Sequence, residues 1–338
     1  MNCHKLFQEF NGNIVLANSK QIKLKNSRKA LRQKIRDYFV INGWDQPKFS
    51  SQGSFPLQTN LNPIRIKDSD GETIEPYDLD DGVYIFCPET DRLTVDAYHS
   101  RIIKAVQGHA KGEVDKTTCV RILYVDGHHI DLPIYWLEKE GNTPKLAHKS
   151  KGFIESDPQA FSNWVKEKLQ LANQKQPGQL LRLIRFTKAW KNFRETENSS
   201  LRLPSGFLLT VLFCEEYESA DNDDTSLKRT LERIYLRLEN KYECKRPTIP
   251  IDEDLLEKYS KDSFLPELKK FRDWASEANA LECEKASSEV WRKCFGDRFP
   301  LGQELKKDSK ATPSIAVQSK ELKSVKPSRP YYAYFNQK

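Results

Sequence analysis

The 338-residue sequence has no CxxC pair among its seven cysteines, no signal-peptide pattern at its start, no internal repeat and no long apolar run. Its longest apolar stretch, residues 206–214, is far shorter than the roughly 20 residues of a membrane-spanning helix. An odd number of cysteines without metal-ligand spacing is typical of a reducing compartment. We therefore expect a cytoplasmic protein with no membrane role.

Positive charge is also scarce over most of the chain. The net charge of +7 is concentrated at the end, where residues 306–338 hold eight basic and two acidic side chains. That segment contributes +6, so the preceding 305 residues carry only +1. A nearly neutral body disfavours activation by nucleic acid, because such activation needs a long basic groove. We therefore expect any phosphate-binding site to consist of a few residues close together.

The first half of the chain alternates helical and extended patterns. Apolar residues at helical spacing predict a long amphipathic helix from Leu24, and residues 48–59 predict a strand that runs into a tight turn. Strands are also predicted at 77–87 and at 119–136, the latter with an Asp-Gly hairpin signal, and the segment 95–114 between them is compatible with a helix. This order predicts a mixed α/β sheet.

The second half is mainly helical. Residues 156–158, Ser-Asp-Pro, have the composition of a helix start, and helical spacing continues to about residue 295. Residues 306–338 are rich in Ser, Lys and Pro and are expected to form a flexible basic tail. The sequence therefore predicts an α+β protein with a sheet-containing core at 1–150, a helical lobe at 151–305 and the tail.

Two closely spaced acids give the first sign of a chemical site. Asp78 and Asp80 lie in a predicted strand, where alternate side chains project from one face, so both carboxylates can hold the same cation. Magnesium prefers such oxygen ligands. The alternative is a solvated turn, since acids beside a glycine such as Gly82 are common turn formers.

A third acid, Asp131, lies in the apolar segment HHIDLPIYW. If this strand pairs with that of Asp78 and Asp80, the three carboxylates can converge on two magnesium or manganese ions about 4 Å apart, a site that activates a hydroxyl and stabilises a leaving pyrophosphate. Two other interpretations are open: Asp131 caps a turn, or it forms a transition-metal pair with His129.

A Gly-Ser turn precedes these acids. Backbone amides near Gly53 and the hydroxyl of Ser54 can bind triphosphate oxygens. The pair alone is common, but Asp78 follows Ser54 by 24 residues and Asp131 follows Asp78 by 53. This ordered set is much rarer than its parts.

The ordered set resembles the signature of the polymerase-β-like nucleotidyltransferases. Between residues 24 and 300 the chain is similar, more narrowly, to the bacterial CD-NTases, relatives of cyclic GMP-AMP synthase and oligoadenylate synthetase. The similar segments are QGSF, DLDDGVY, HIDLPIYW, ESDPQAF, LLRLIRFTKAWKNF, PSGFLLT and WRKCFGDRFP. The resemblance implies a nucleotidyltransferase core and a helical lobe with the active site between them. It also implies synthesis of a cyclic di- or trinucleotide from ATP, GTP or pyrimidine triphosphates in anti-phage (CBASS-type) defence.

The resemblance implies a role for each matching residue. Ser54 would bind the donor triphosphate, Asp78 and Asp80 would hold both metals, and Asp131 would complete the metal site and help to deprotonate the acceptor hydroxyl. Lys188 would meet the triphosphate, the alternative being a solvated basic helix face that also holds Arg182 and Arg185.

Other positions have weaker signals. Ser205 begins a helix in a region that faces the nucleotide in the family, although its hydroxyl can serve as a cap alone. Trp190 and Trp291 are expected in the core. Three tyrosines are candidates for stacking on a base: Tyr77, Tyr84 and Tyr135.

Two other functions remain open. One is a linear oligoadenylate-type or tail-adding transferase, which needs a basic groove if duplex RNA activates it. The other is a non-catalytic nucleotide-binding scaffold, against which the presence of all three acids argues. Some relatives act beside ubiquitin-transfer-like machinery, which implies a defence-operon partner that acts on the C-terminal tail.

Overall fold

The computed structural model describes residues 3–67 and 71–304, and the tail predicted at 306–338 lies outside them. The helices are α1 (His4–Ile14), α2 (Asn18–Ile41), α3 (Val95–Val106), α4 (Pro158–Asn173), α5 (Gln179–Glu197), α6 (Gly206–Glu216), α7 (Asp223–Asn240), α8 (Lys261–Ala280) and α9 (Glu284–Phe295). The strands are β1 (Lys48–Gln52), β2 (Ile66–Lys67), β3 (Thr73–Ile74), β4 (Asp78–Phe86), β5 (Gly112–Asp115), β6 (Cys119–Leu123), β7 (His129–Leu137), β8 (Lys145–His148) and β9 (Gly152–Glu155).

The main sheet has the order β1-β4-β7-β6-β5, and β8 and β9 continue from β7. Strands β4 and β7 are parallel, whereas β1 pairs with β4 and β6 pairs with β7 in antiparallel fashion. The predicted mixed sheet is therefore confirmed. The Asp126-Gly127 hairpin between β6 and β7 is confirmed as well, with Gly127 at φ +91°.

One predicted element is wrong at its end. The helix expected over 95–114 stops at Val106, and residues 112–115 form β5 instead. Gly108 follows with φ +67°, a left-handed conformation that glycine adopts at little cost and that ends the helix. The chain then turns back to pair β5 with β6.

Helix α2 covers the inner face of the sheet. Its apolar residues Leu31, Ile35 and Phe39 are buried with apolar side chains of β4, β6 and β7, which confirms the long amphipathic helix. Arg32 binds both carboxylate oxygens of the fully buried Asp81, which also accepts a hydrogen bond from Ser51. This ion pair fixes β4 against α2, so the other face of β4 is left for the site.

A second apolar cluster unites α1 with α4 to α9. Asp157 caps α4 by accepting hydrogen bonds from the amides of Gln159 and Ala160, which confirms the predicted helix start. Trp190 and Trp291 are fully buried here, as expected. The ring of Trp190 stacks on Phe271 at 4.7 Å, so both tryptophans serve packing.

All seven cysteines are free. In the part of the chain that the structure describes, no helix is both long enough and apolar enough to cross a bilayer.

Candidate active site

The three predicted acids lie on one face of the sheet. Asp78 and Asp80 are two positions apart on β4, and Asp80 is the direct Cα partner of Asp131 on the parallel strand β7. Paired residues on neighbouring strands project to the same side, so the three carboxylates share the face opposite α2. Asp81 points the other way, towards Arg32.

The carboxylates repel one another at Asp80. Burial, together with the negative charges of Asp78 and Asp131, raises the pKa of Asp80 to about 8, and the positive charges of Arg121 and Lys188 offset this only in part. An ionised Asp80 is therefore costly unless a further cation is present. Three hard oxygen donors around this position fit a divalent ion such as magnesium.

Asp131 has a partner of its own. Arg121 on β6 donates from Nε to Oδ1 at 2.6 Å and from Nη2 to Oδ2 at 2.7 Å. Within residues 3–67 and 71–304, no three His, Cys, Asp or Glu side chains are already arranged as a set of metal ligands. This holds for the set of Asp78, Asp80 and Asp131 as well as for any set that includes His129. Among Asp78, Asp80 and Asp131, it is the carboxylate of Asp131 that binds Arg121.

The Gly-Ser turn follows directly after β1 and lies against Asp80. Gln52, the last residue of β1, is the Cα partner of Asp80, and Gly53 has φ +69°. A Cβ atom at Gly53 would lie 2.2 Å from Oδ2 of Asp80, which is far inside van der Waals contact. The backbone amide of Thr59 closes the loop by donating to the carbonyl of Ser54 at 2.9 Å. The turn thus places Gly53 against Asp80, and Ser54 is the residue that follows.

We expect Gly53→Ala to lower the rate of nucleotide joining by about 100-fold, because the new methyl group displaces the Asp80 carboxylate by an ångström or more. Gly108→Ala is the matched control, since Gly108 has φ +67° but nothing within 4 Å of an added Cβ. Both variants should lose a similar amount of stability from backbone strain. Equal rates for the two variants would contradict the close approach of Gly53 to the reacting centre.

Lys188 reaches the same site from α5. Its Nζ donates to Oγ1 of the buried Thr59 at 2.7 Å, and burial lowers its pKa to about 8 despite the nearby charges of Asp78 and Asp80. A Cβ at Gly206 would lie 3.0 Å from its Cε, so the start of α6 packs on the lysine stem. Lys188 therefore contacts Thr59 at the end of the turn and the start of α6, and its ammonium group lies near Asp78 and Asp80.

The alternative of a solvated basic face on α5 is wrong. Arg182 binds both carboxylate oxygens of Asp223, and Arg185 is buried with its Nε donating to the carbonyl of Gln58 at 2.9 Å. None of the three basic side chains points simply to solvent.

Ser205 caps α6. Its hydroxyl accepts a hydrogen bond from the amide of Leu208 at 3.3 Å, which confirms the capping role. Its neighbour Gly206 contacts Lys188, so the cap lies near the site. The role of Ser205 in nucleotide binding stays a prediction.

The three candidate tyrosines are occupied by other rings. Tyr84 and Tyr135 stack on each other with centroids 4.8 Å apart, and Tyr77 stacks on His128 at 5.4 Å. Each is less than a tenth exposed. In this conformation they contribute to packing beneath the site rather than to a platform for a base.

Arg121 is the main residue at the site that was not predicted. A signal for it exists in the sequence, because a hairpin centred on Asp126 brings residues five positions before and after it into register. Arg121 and Asp131 stand at those two positions and are Cα partners.

Comparison with known proteins agrees with this geometry. Residues 47–135, which include the turn and all three acids, match the nucleotidyltransferase domain of the cyclic GMP-AMP synthase DncV-like family. The cyclic GMP-AMP synthase of Escherichia albertii is 27% identical over 233 residues, which cover 64% of this chain and 47% of that protein. The chain thus spans about half the length of this curated relative.

Solved structures show the same fold. The Vibrio cholerae DncV cyclic AMP-GMP synthase, solved with the linear intermediate pppA(3′,5′)pG, superposes with a TM-score of 0.70 at 18% identity, over 89% of this chain and 99% of that one. The CD-NTase CdnG of Bradyrhizobium diazoefficiens, solved with GTP, gives a TM-score of 0.68 at 18% identity, over 87% and 95%. The predicted polymerase-β-like fold is confirmed. In its domain at residues 47–135 and in its fold, the chain is thus similar to the bacterial CD-NTases.

Proposed function

We propose that the protein is a metal-dependent nucleotidyltransferase that joins nucleoside triphosphates into a cyclic di- or trinucleotide. The observation that carries the proposal is the placement of Asp78, Asp80 and Asp131 on one sheet face, beside the Gly53 turn and the half-buried Lys188. This arrangement combines oxygen ligands for a divalent ion with groups that bind phosphate.

Each group has a distinct task in this scheme. Asp78 and Asp80 would hold two magnesium ions, with manganese as an alternative, and Asp131 would hold one of them. When bound, the ions supply positive charge that activates the attacking hydroxyl and stabilises the departing pyrophosphate. Ser54 and the amides of its turn orient the donor triphosphate, and Lys188 neutralises part of its charge. Asp131 would also help to accept the proton of the acceptor hydroxyl.

Cyclisation follows from the same chemistry carried out twice or more. DncV was solved with a linear intermediate that still has a 5′ triphosphate. An intermediate of this kind can turn round in the site so that its own triphosphate becomes the donor. The body of this chain is almost neutral, which favours free triphosphates over a nucleic-acid activator or primer. We accordingly place a linear oligoadenylate-type or tail-adding activity second and a non-catalytic scaffold third.

The cellular role is a finer part of the proposal. A cyclic nucleotide made in the cytoplasm, where triphosphates are available, would act as a second messenger in CBASS-type anti-phage defence. The predicted operon partner would act on the tail at residues 306–338, outside the described residues.

Product analysis tests the activity. The purified protein is incubated with ATP, GTP, CTP and UTP, singly and in pairs, with magnesium or manganese, and the products are treated with phosphatase and examined by mass spectrometry. A phosphatase-resistant product, with one pyrophosphate released for each bond, is expected. Linear ladders that grow with added RNA would favour the second function. Tight triphosphate binding without turnover under all conditions would favour the scaffold.

A further inference from the structure

Arg121 and Asp131 form a closed pair at the centre of the site. Both oxygens of the carboxylate accept from one guanidinium group, at 2.6 and 2.7 Å, and the two residues are cross-strand neighbours on β6 and β7. Such a two-point pair is among the stronger ion pairs in proteins. Among the three acids on this face, the guanidinium of Arg121 binds both oxygens of Asp131.

The pair also balances charge. The face carries three carboxylates, and the cations that act on Asp80 are Arg121 and Lys188. Lys188 is half-buried, and its Nζ is held by a hydrogen bond to Oγ1 of Thr59 at 2.7 Å. Arg121 has a side chain that is 25% exposed, and the structure gives it no second ion pair within the described residues. Of these two cations, Arg121 is therefore the one whose side chain can move away from the three acids.

We propose that Arg121 is a built-in counter-ion that holds Asp131 until a divalent cation displaces it, so that it lowers the affinity of the site for free metal. The inference rests on the proposed metal-dependent function and adds a regulation of that site. Arg121 acts through Asp131 and is a positioning residue. The pair stabilises the site when no metal is bound, and its opening makes Asp131 available as a ligand only when enough positive charge arrives to replace the guanidinium.

The alternative is that Arg121 stays in place and orients Asp131 for the metal. Each carboxylate oxygen has two lone pairs, so one hydrogen bond and one metal contact are compatible. In that case Arg121 supports metal binding, as hydrogen-bonded neighbours of ligands commonly do. The two interpretations predict opposite signs for the effect of removing Arg121 on metal affinity.

Manganese binding in the absence of nucleotide separates them. The free Mn²⁺ that remains at each concentration is measured by electron paramagnetic resonance for the wild type, Arg121→Gln and Arg121→Lys. In Arg121→Gln the metal no longer has to break the charged hydrogen bonds between the guanidinium and Asp131, so binding should tighten by about tenfold. Arg121→Lys keeps the charge and should stay close to the wild type. The gain should vanish in Arg121→Gln combined with Asp131→Asn.

Thermal unfolding provides a second readout. Arg121→Gln leaves the carboxylate of Asp131 without its partner and should lower Tm in metal-free buffer, whereas Mn²⁺ should raise Tm by more in this variant than in the wild type. Unchanged or weaker Mn²⁺ binding by Arg121→Gln, or no binding by either protein, would overturn the inference. The Mn²⁺ titration contains no nucleotide, so its result does not depend on whether the protein forms a product. A failure to form a product would therefore count against the proposed function and not against the role of Arg121.

Discussion

Replacing Asp80 with asparagine is expected to reduce the rate of nucleotide joining by at least about 1,000-fold, which corresponds to about 4 kcal/mol of lost transition-state stabilisation. The same change should leave the metal-free fold as stable as before, or more stable by about 1 to 2 kcal/mol. The reason is that burial and the charges of Asp78 and Asp131 raise the pKa of Asp80 to about 8, so at neutral pH folding must protonate a carboxylate that is ionised in the unfolded chain, a cost that asparagine does not carry. Product assays and urea unfolding of one preparation measure both effects.

Asp81→Asn is the matched control on the same strand. Asp81 is fully buried on the opposite face and binds Arg32 at both oxygens. We expect this variant to lose about 3 kcal/mol of unfolding free energy, because the half-buried Arg32 loses the carboxylate that it binds at two points. At a temperature where it is folded, it should keep most of its activity. If the two variants behaved alike in both assays, the division of labour between the two faces of β4 would be wrong.

Lys188→Met is expected to raise the KM for the donor triphosphate by about 10- to 100-fold, with a smaller change in kcat. A half-buried ammonium group beside the acids contributes about this much when it forms a charge-assisted hydrogen bond with phosphate. Methionine has a similar length and keeps the contact with the start of α6. Since burial lowers the pKa of Lys188 to about 8, the neutral side chain should not reduce stability in the absence of nucleotide.

Lys191→Met serves as the control on the same helix. Lys191 pairs with Glu195 one turn further along α5 and has no contact with the acids. The KM of Lys191→Met should remain within about twofold of the wild type, because this partly buried pair lies within α5 and its loss affects the helix rather than the acids. A KM for Lys188→Met that equals that of Lys191→Met would remove Lys188 from the proposed triphosphate site.

The elements of the site follow from local patterns in the sequence. Alternation along β4 predicts that Asp78 and Asp80 share a face, and the β-branched and aromatic residues around Asp131 predict a second strand. The Asp126-Gly127 hairpin and the Asp157 cap are similarly local features, and both are present. Such signals depend on a few neighbouring residues, so they are readable without knowing the tertiary structure.

Contacts between distant segments could not be predicted in this way. The pairing of β4 with β7 joins residues about 50 positions apart. From the sequence, this pairing could be named as a requirement for the three acids to meet, but it could not be predicted. The bond between Lys188 and Thr59 spans 129 positions, and nothing local distinguishes that lysine from one on a solvated face. The end of α3 was missed because a helix and a short strand with few apolar residues give similar signals near Gly108 and Gly112.

The central claim is that the carboxylates of Asp78, Asp80 and Asp131 surround divalent ions next to a triphosphate in the Gly53 turn. Its most direct test is a crystal structure with Mn²⁺ and a non-hydrolysable ATP analogue, with manganese located by anomalous scattering. Two peaks about 4 Å apart are predicted, both bound by Asp78 and Asp80, one also by Asp131, with Arg121 turned away. Manganese bound elsewhere, or a triphosphate far from Ser54 and Lys188, would contradict the account.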